Sequence, residues 1–134
     1  VRDSAHEFMG NNDRISLIEP LDYEPFANLM SKVYMIMTDS GGIQEEGPAL
    51  GKPVMVLRTE TERPEAVEAG TVKVVGVDPD KIYRVGMRLA QDSSYYESIA
   101  NAVNPYGDGK ASSRIADHIL FKFGISNKEV DEFK

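Results

Sequence analysis

Residues 33–46, VYMIMTDSGGIQEE, decide the fold that this sequence predicts. Residues 33–37 form an apolar run without a helical period, which is typical of a buried parallel strand. The Glu-rich end of the stretch suits the first turns of a helix. Gly41 and Gly42 lie between the two parts, and glycine lets a ligand approach the bare backbone. The stretch therefore predicts a strand, a tight turn and a helix.

Ser40, Gly41 and Gly42 form a turn with the local chemistry of an anion site. The first amide N–H groups of a helix have no intrahelical acceptor, and the positive end of the helix dipole lies behind them. Phosphate groups bind at such places. The spacing matches neither GxGxxG nor a Walker A motif, which disfavours nicotinamide binding and ATP hydrolysis. On spacing alone, a diphosphate site and an ordinary tight turn both remain open.

Segments of strand type and helix type alternate along the chain through short connections. We predict strands at residues 15–18, 33–37, 54–57 and 71–75, and helices at residues 1–10, 23–31, 43–50 and 63–70. Three further helices follow, the first opening at Asp78 and the second capped by Ser93. This alternation predicts an α/β fold of three layers, α/β/α, with a mostly parallel sheet. We expect one domain over residues 1–124 and a polar tail over residues 125–134 that frays.

Length and charge restrict the class of protein. The 134 residues suffice for one domain, and the first residue is Val1 rather than Met, so we expect a piece of a longer polypeptide. A formal charge of −7 disfavours a nucleic-acid or membrane surface, and no apolar run reaches the roughly 20 residues of a membrane span. There is no cysteine, and His6 and His118 are isolated, so we predict no metal site. A cytoplasmic location fits these features.

Three residues outside the turn are candidates, and each has a structural alternative. Glu46 lies one turn beyond Gly42, where it either stabilises the helix start, by about 0.3–1 kcal/mol, or accepts hydrogen bonds from sugar hydroxyls. Arg63 lies at a predicted helix start, where the dipole disfavours a cation. It either faces an anionic ligand or pairs with nearby glutamates at 60, 62 or 65. Phe26 either packs in the core or contacts a base.

Four runs carry a resemblance to a known family: TDSGGIQEE at residues 38–46, LGKPV at 50–54, TERPE at 61–65 and NPYGDG at 104–109. Together they resemble the C-terminal domain of the non-hydrolysing UDP-N-acetylglucosamine 2-epimerases over nearly all of residues 1–125. That family has the GT-B architecture, in which two Rossmann-like domains hold a nucleotide sugar in the cleft between them. The resemblance therefore implies a Rossmann-like domain that forms half of such a cleft.

The resemblance implies a UDP site without a metal or cofactor. Its diphosphate would lie on Ser40, Gly41 and Gly42, its ribose on Glu46, its phosphates near Arg63 and its uracil beside Phe26. The family eliminates UDP to form a glycal and adds it back, which interconverts UDP-N-acetylglucosamine and UDP-N-acetylmannosamine. In the family, the acidic proton-handling residues belong to the N-terminal domain, and a histidine lies in an upstream HRREN run. The chain contains none of these, so no catalytic residue is predicted in it. The expected partners are UDP-N-acetylglucosamine or UDP, the N-terminal domain of the same enzyme, and a second copy in a homodimer.

Two other functions remain as alternatives. A GT-B glycosyltransferase would use the same kind of domain to hold its donor nucleotide, although the TERPE and NPYGDG runs favour the epimerase. A non-catalytic module that binds a nucleotide sugar would have the same turn without the reaction. Both alternatives keep the nucleotide at Ser40, Gly41 and Gly42.

Overall fold

The computed structural model describes residues 2–130. Val1 and residues 131–134 lie outside this range, so the first residue of the first predicted helix and the last four residues of the predicted tail are not described. The elements in chain order are α1 (Arg2–Met9), α2 (Tyr23–Lys32), β1 (Ile36–Thr38), α3 (Gly41–Ala49), β2 (Val54–Val56), α4 (Pro64–Glu68), β3 (Val72–Val74), α5 (Pro79–Gln91), α6 (Ser93–Ala100) and α7 (Ala111–Lys122).

The three strands form one parallel sheet in the order β1-β2-β3. Thr38 pairs with Val56, and Val56 pairs with Val74, so the three strands end at the same edge. Every residue of the central strand β2 is buried, as expected for a parallel strand covered on both faces. Short crossovers through α3 and α4 are what parallel pairing of consecutive strands requires.

Helices cover both faces of the sheet. On one face, Val54 and Val56 of β2 pack with Ala66 of α4. On the other face, Met55 packs with Leu89 of α5 and Ile99 of α6. Alternate residues of one strand thus serve two separate apolar clusters, because successive side chains of a strand point to opposite faces. The predicted α/β class with three layers is confirmed.

Helix caps explain where α5 and α6 begin. The Asp78 side chain accepts a hydrogen bond from the amide of Asp80 at 2.9 Å, as predicted for the cap of α5. The cap of α6 is Asp92, which accepts from the amide of Tyr95 at 2.9 Å. The prediction that Ser93 caps this helix was therefore wrong by one residue. Asp92 rather than Ser93 caps α6, because a carboxylate binds an amide at a helix start more strongly than a serine hydroxyl does.

The strand predicted at residues 15–18 does not form. These residues are irregular, and Ile18 is 62% exposed. A strand needs a neighbour for its backbone groups, and within residues 2–130 the three-stranded sheet offers this segment none. At the other end, residues 125–130 contain neither helix nor strand. Fraying of the tail over residues 125–134 stays a prediction, and its last four residues lie outside the described range.

Two glycines inside helices give opposite predictions for replacement by alanine. A Cβ at Gly47 of α3 would come within 2.5 Å of Cγ2 of Val54 and 3.1 Å of Cδ1 of Ile36. Gly47→Ala should therefore lower the free energy of unfolding by about 1–2 kcal/mol, since overpacking outweighs the gain in helix propensity. At Gly86 of α5 the nearest atoms, in Met55, lie at 3.9 Å, which is ordinary contact.

Gly86→Ala is therefore the matched control, and it should raise the free energy of unfolding by about 0.5–1 kcal/mol. Urea unfolding followed by circular dichroism measures both variants. Equal effects of the two substitutions would contradict the close packing of α3 on the sheet.

Candidate functional site

The turn between β1 and α3 has the geometry of an open helix start. Ser40 is the N-cap residue with φ −81° and ψ 133°, and its side chain makes no capping hydrogen bond. Its amide donates to Oγ1 of Thr38 at 3.0 Å, which fixes the direction in which the chain leaves the strand. The Ser40 side chain is exposed. Its hydroxyl is therefore free to bind a ligand at the start of the helix.

Gly41 and Gly42 are the first two residues of α3. Within residues 2–130, neither amide donates a hydrogen bond to a protein acceptor. Gly42 is exposed, and the positive end of the helix dipole lies at the same place. The turn predicted from sequence thus offers unsatisfied donors toward solvent. Such a corner favours an anion.

Gln44 connects this turn to the loop after β2, and the sequence analysis did not identify it. Its side chain is completely buried, with Nε2 donating to the Ser40 carbonyl at 3.2 Å. Its Oε1 accepts from the hydroxyl of Thr61, and Oγ1 of Thr61 accepts from the amide of Arg63 at 3.1 Å. The only sequence signal was one uncharged amide next to two glutamates. This network holds the two loops together.

Arg63 pairs with Glu45 of α3, since its Nε donates to the Glu45 carboxylate. The sequence suggested an ion pair between Arg63 and a glutamate at position 60, 62 or 65, and this prediction was wrong. Nη1 of Arg63 does donate to the backbone carbonyl of Glu62, at 3.3 Å. The hydrogen bond that Arg63 donates to Glu45 raises the pKa of Arg63 above its ordinary value. Both side chains are about one-third exposed, so the pair lies at the surface beside α3.

Glu46 leans back toward the turn, as expected from its position one helical turn later. A Cβ built on Gly42 would lie 4.0 Å from Oε1 of Glu46. Among the described residues this carboxylate has no hydrogen-bond or ion-pair partner, so it can accept from a ligand. Phe26 is half-buried on α2 and belongs to neither apolar cluster of residues 2–130. The core alternative for Phe26 is therefore weakened, and its contact with a base stays a prediction.

Glu62 lies against Gly41, a position that the sequence analysis did not anticipate. A Cβ at Gly41 would clash with Oε1 of Glu62, and Oε2 pairs with Nη1 of Arg58 at 2.7 Å. A hydrogen bond from its own backbone amide is the main cause that lowers the pKa of Glu62, with the charges of Arg58 and Arg63 adding to it. A carboxylate thus lies beside the open amides.

Tyr106, in the NPYGDG run, lies near Arg63 and Glu45. Its ring packs against the apolar cluster of Val54, Val56 and Ala66. Its hydroxyl oxygen is buried and has no hydrogen-bond partner among the described residues. Burial, followed by the nearby Glu65 carboxylate, raises the pKa of Tyr106. The packing against Ala66 means that Tyr106 supports α4, the helix whose N-cap residue is Arg63.

Residues 2–130 contain no group of three or more histidine, cysteine, aspartate or glutamate side chains placed to hold a metal ion. Within the same range, none of the helices has the length and apolar character needed to cross a bilayer.

Comparison with known proteins shows what kind of chain carries this turn. A sequence model of the family described as UDP-N-acetylglucosamine 2-epimerase matches residues 1–120. The chain belongs to that family. The UDP-N-acetylglucosamine 2-epimerase of Bacillus subtilis (strain 168) is 50% identical over 133 residues, which make up 99% of this chain and 35% of the relative. The resemblance drawn from the four sequence runs is confirmed.

Two similar solved structures have the same fold and were determined with nucleotides. The S. aureus MnaA structure with UDP has a TM-score of 0.88 at 48% identity, over 99% of this chain and 36% of that one. The UDP-GlcNAc 2-epimerase of Neisseria meningitidis, bound to UDP-GlcNAc, has a TM-score of 0.85 at 50% identity, over 89% of this chain and 33% of that one. The chain thus spans about a third of the length of these relatives. Its Rossmann-like α/β fold is confirmed.

Gln44→Leu tests the connection between the turn and the loop after β2. Leucine keeps the volume, but it leaves the Ser40 carbonyl and the Thr61 hydroxyl without their partner. We expect the free energy of unfolding to fall by about 1–3 kcal/mol. Hydrogen exchange of the amides at residues 58–63 should also accelerate more than exchange at the centre of the sheet.

Gln91→Leu is the control, because Gln91 is exposed at the end of α5 and its substitution should stay within about 0.5 kcal/mol. Urea unfolding and amide exchange measure both variants. Unchanged exchange at residues 58–63 in Gln44→Leu would contradict the connecting role.

Proposed function

We propose that this chain is the UDP-binding, C-terminal part of a UDP-N-acetylglucosamine 2-epimerase. The full enzyme would interconvert UDP-N-acetylglucosamine and UDP-N-acetylmannosamine by eliminating UDP and adding it back. The observation that carries the proposal is the pair of unsatisfied amides of Gly41 and Gly42 at the start of α3. The chain that contains them is 50% identical to a UDP-N-acetylglucosamine 2-epimerase over 133 residues. The N. meningitidis relative, solved with UDP-GlcNAc, supports the same substrate class.

The diphosphate binds at the start of α3. Ser40, Gly41 and Gly42 supply a hydroxyl and amide donors, and the helix dipole adds positive potential. Elimination of UDP leaves negative charge on the departing phosphate, and donors already oriented in the folded protein stabilise that charge without having to reorganise. Arg63 adds a cation next to these donors while it stays paired with Glu45. In this proposal the leaving group is held without a metal.

The uridine is recognised by two further residues. Glu46 accepts hydrogen bonds from the ribose hydroxyls, a role that its unpartnered carboxylate beside Gly42 supports. Phe26 lies next to the uracil, and its place outside both core clusters is compatible with that contact. These roles are proposed for each residue separately, so each can fail without the others.

The groups that move the proton at C2 come from the rest of the enzyme. The relatives are about three times as long as this chain, and we propose that their N-terminal domain supplies the acid and base. The chain alone would then bind UDP weakly and would not epimerise. A homodimer and a cytoplasmic location remain predictions. The family match weighs against the glycosyltransferase alternative.

Gly42→Val should weaken UDP binding by about tenfold or more, because a branched side chain blocks the approach of phosphate to the free amides. The nearest atom to a Cβ at Gly42 is 4.0 Å away, so the fold has room for the side chain. Ala49→Val, an exposed site at the end of the same helix, is the control for helix propensity. Calorimetric titration with UDP measures both, and equal affinities would place the phosphates elsewhere.

Deuterium exchange tests the reaction. The polypeptide that joins this segment to its N-terminal domain, incubated with UDP-N-acetylglucosamine in deuterated water, should introduce deuterium at C2 of the sugar. This 134-residue chain alone should introduce none. Mass spectrometry of the recovered nucleotide sugar reads out both reactions. Sugar transfer without deuterium would indicate a glycosyltransferase, and exchange by the chain alone would show that it contains its own base.

A further inference from the structure

The Glu62 side chain covers one end of the proposed phosphate turn. A Cβ added at Gly41 would clash with Oε1 of Glu62, whereas one added at Gly42 would meet only Oε1 of Glu46, at 4.0 Å. The Glu62 carboxylate therefore fills the space next to Gly41 and leaves the space next to Gly42 open. A phosphate held at the start of α3 by the Gly41 and Gly42 amides would therefore lie beside this carboxylate.

The loop holds Glu62 in this place from both sides. Thr61 is tied to Gln44, and Arg63 is tied to Glu45, so both neighbours of Glu62 are anchored to α3. The carboxylate itself pairs with Nη1 of Arg58 at 2.7 Å. The side chains of Glu62 and Arg58 are 46% and 44% exposed, so they can change conformation without any change in the core. The backbone of Glu62 is therefore held in place, whereas its carboxylate can move away from Gly41.

We propose that the Glu62 carboxylate is an internal anion that competes with the nucleotide phosphates for the start of α3 and thereby sets the affinity of the site. This inference rests on the proposed function. The helix start carries partial positive charge, and a carboxylate and a phosphate in the same place repel each other. When the diphosphate binds, Glu62 turns away from Gly41. The guanidinium of Arg58 then loses its partner and becomes a cation for the phosphates.

Glu62→Gln tests the competition, because it keeps the shape of the side chain and removes its charge. UDP should bind about fivefold more tightly to this variant, the size expected when a single like charge is removed at a solvent-exposed site. Glu60→Gln removes the same charge from the same loop and should leave the affinity unchanged. Calorimetric titration with UDP, at one fixed salt concentration, measures all three proteins. Uridine, which has no phosphate, should bind equally to all three in ligand-observed NMR.

Each outcome of these titrations decides between the two proposals. A selective gain for UDP in Glu62→Gln supports the competition. Equal gains in Glu62→Gln and Glu60→Gln, or a parallel gain for uridine, overturn it, because they reveal a general charge effect or a change in the fold. Unchanged UDP affinity in Glu62→Gln overturns the competition alone and leaves the UDP site intact. No UDP binding by any of the three proteins overturns the proposed function together with this inference.

Discussion

The parallel pairing of β1 with β2 is the constraint on which the candidate site depends. Thr38 lies beside Val56, and the amide of Leu57 donates to the Thr38 carbonyl at 2.8 Å, so the two strands end together. The turn at residues 39–42 and the loop at residues 58–63 therefore leave the sheet side by side. The contacts of Gln44, Arg63 and Glu62 all follow from this arrangement. In parallel sheets, ligands bind beyond this edge for the same reason.

The electrostatics of the site depend on which carboxylates already have a cation. Glu45 is paired with Arg63, and Glu62 is paired with Arg58. Glu46 alone of these three has no partner among the described residues. Two of the three carboxylates around this turn of an acidic chain are thus paired with arginines, and the third is left without a partner in the described range. Both arginines come from the loop after β2, so this loop supplies the cations and the turn supplies the amides.

Secondary structure was predictable where the local pattern and the tertiary environment agree. The apolar runs at β1, β2 and β3 became strands because neighbouring strands lie within the described chain. Residues 15–18 have the same pattern, but no strand of residues 2–130 lies beside them, and they stay irregular. A strand is a property of a pair of segments, whereas a helix satisfies its own backbone. This difference explains why α1 and α2 formed as predicted and the strand between them did not.

The sequence by itself determined the α/β class, the open turn at Ser40, Gly41 and Gly42, and the direction of Glu46, because each depends on spacing within one short segment. Only the tertiary structure decided that Arg63 binds Glu45, that Gln44 joins two loops and that Glu62 covers Gly41. The contacts among these that reach the loop after β2 join residues 17 to 21 positions apart in the sequence. Such contacts depend on the register of two strands and the crossover between them, which local spacing does not encode.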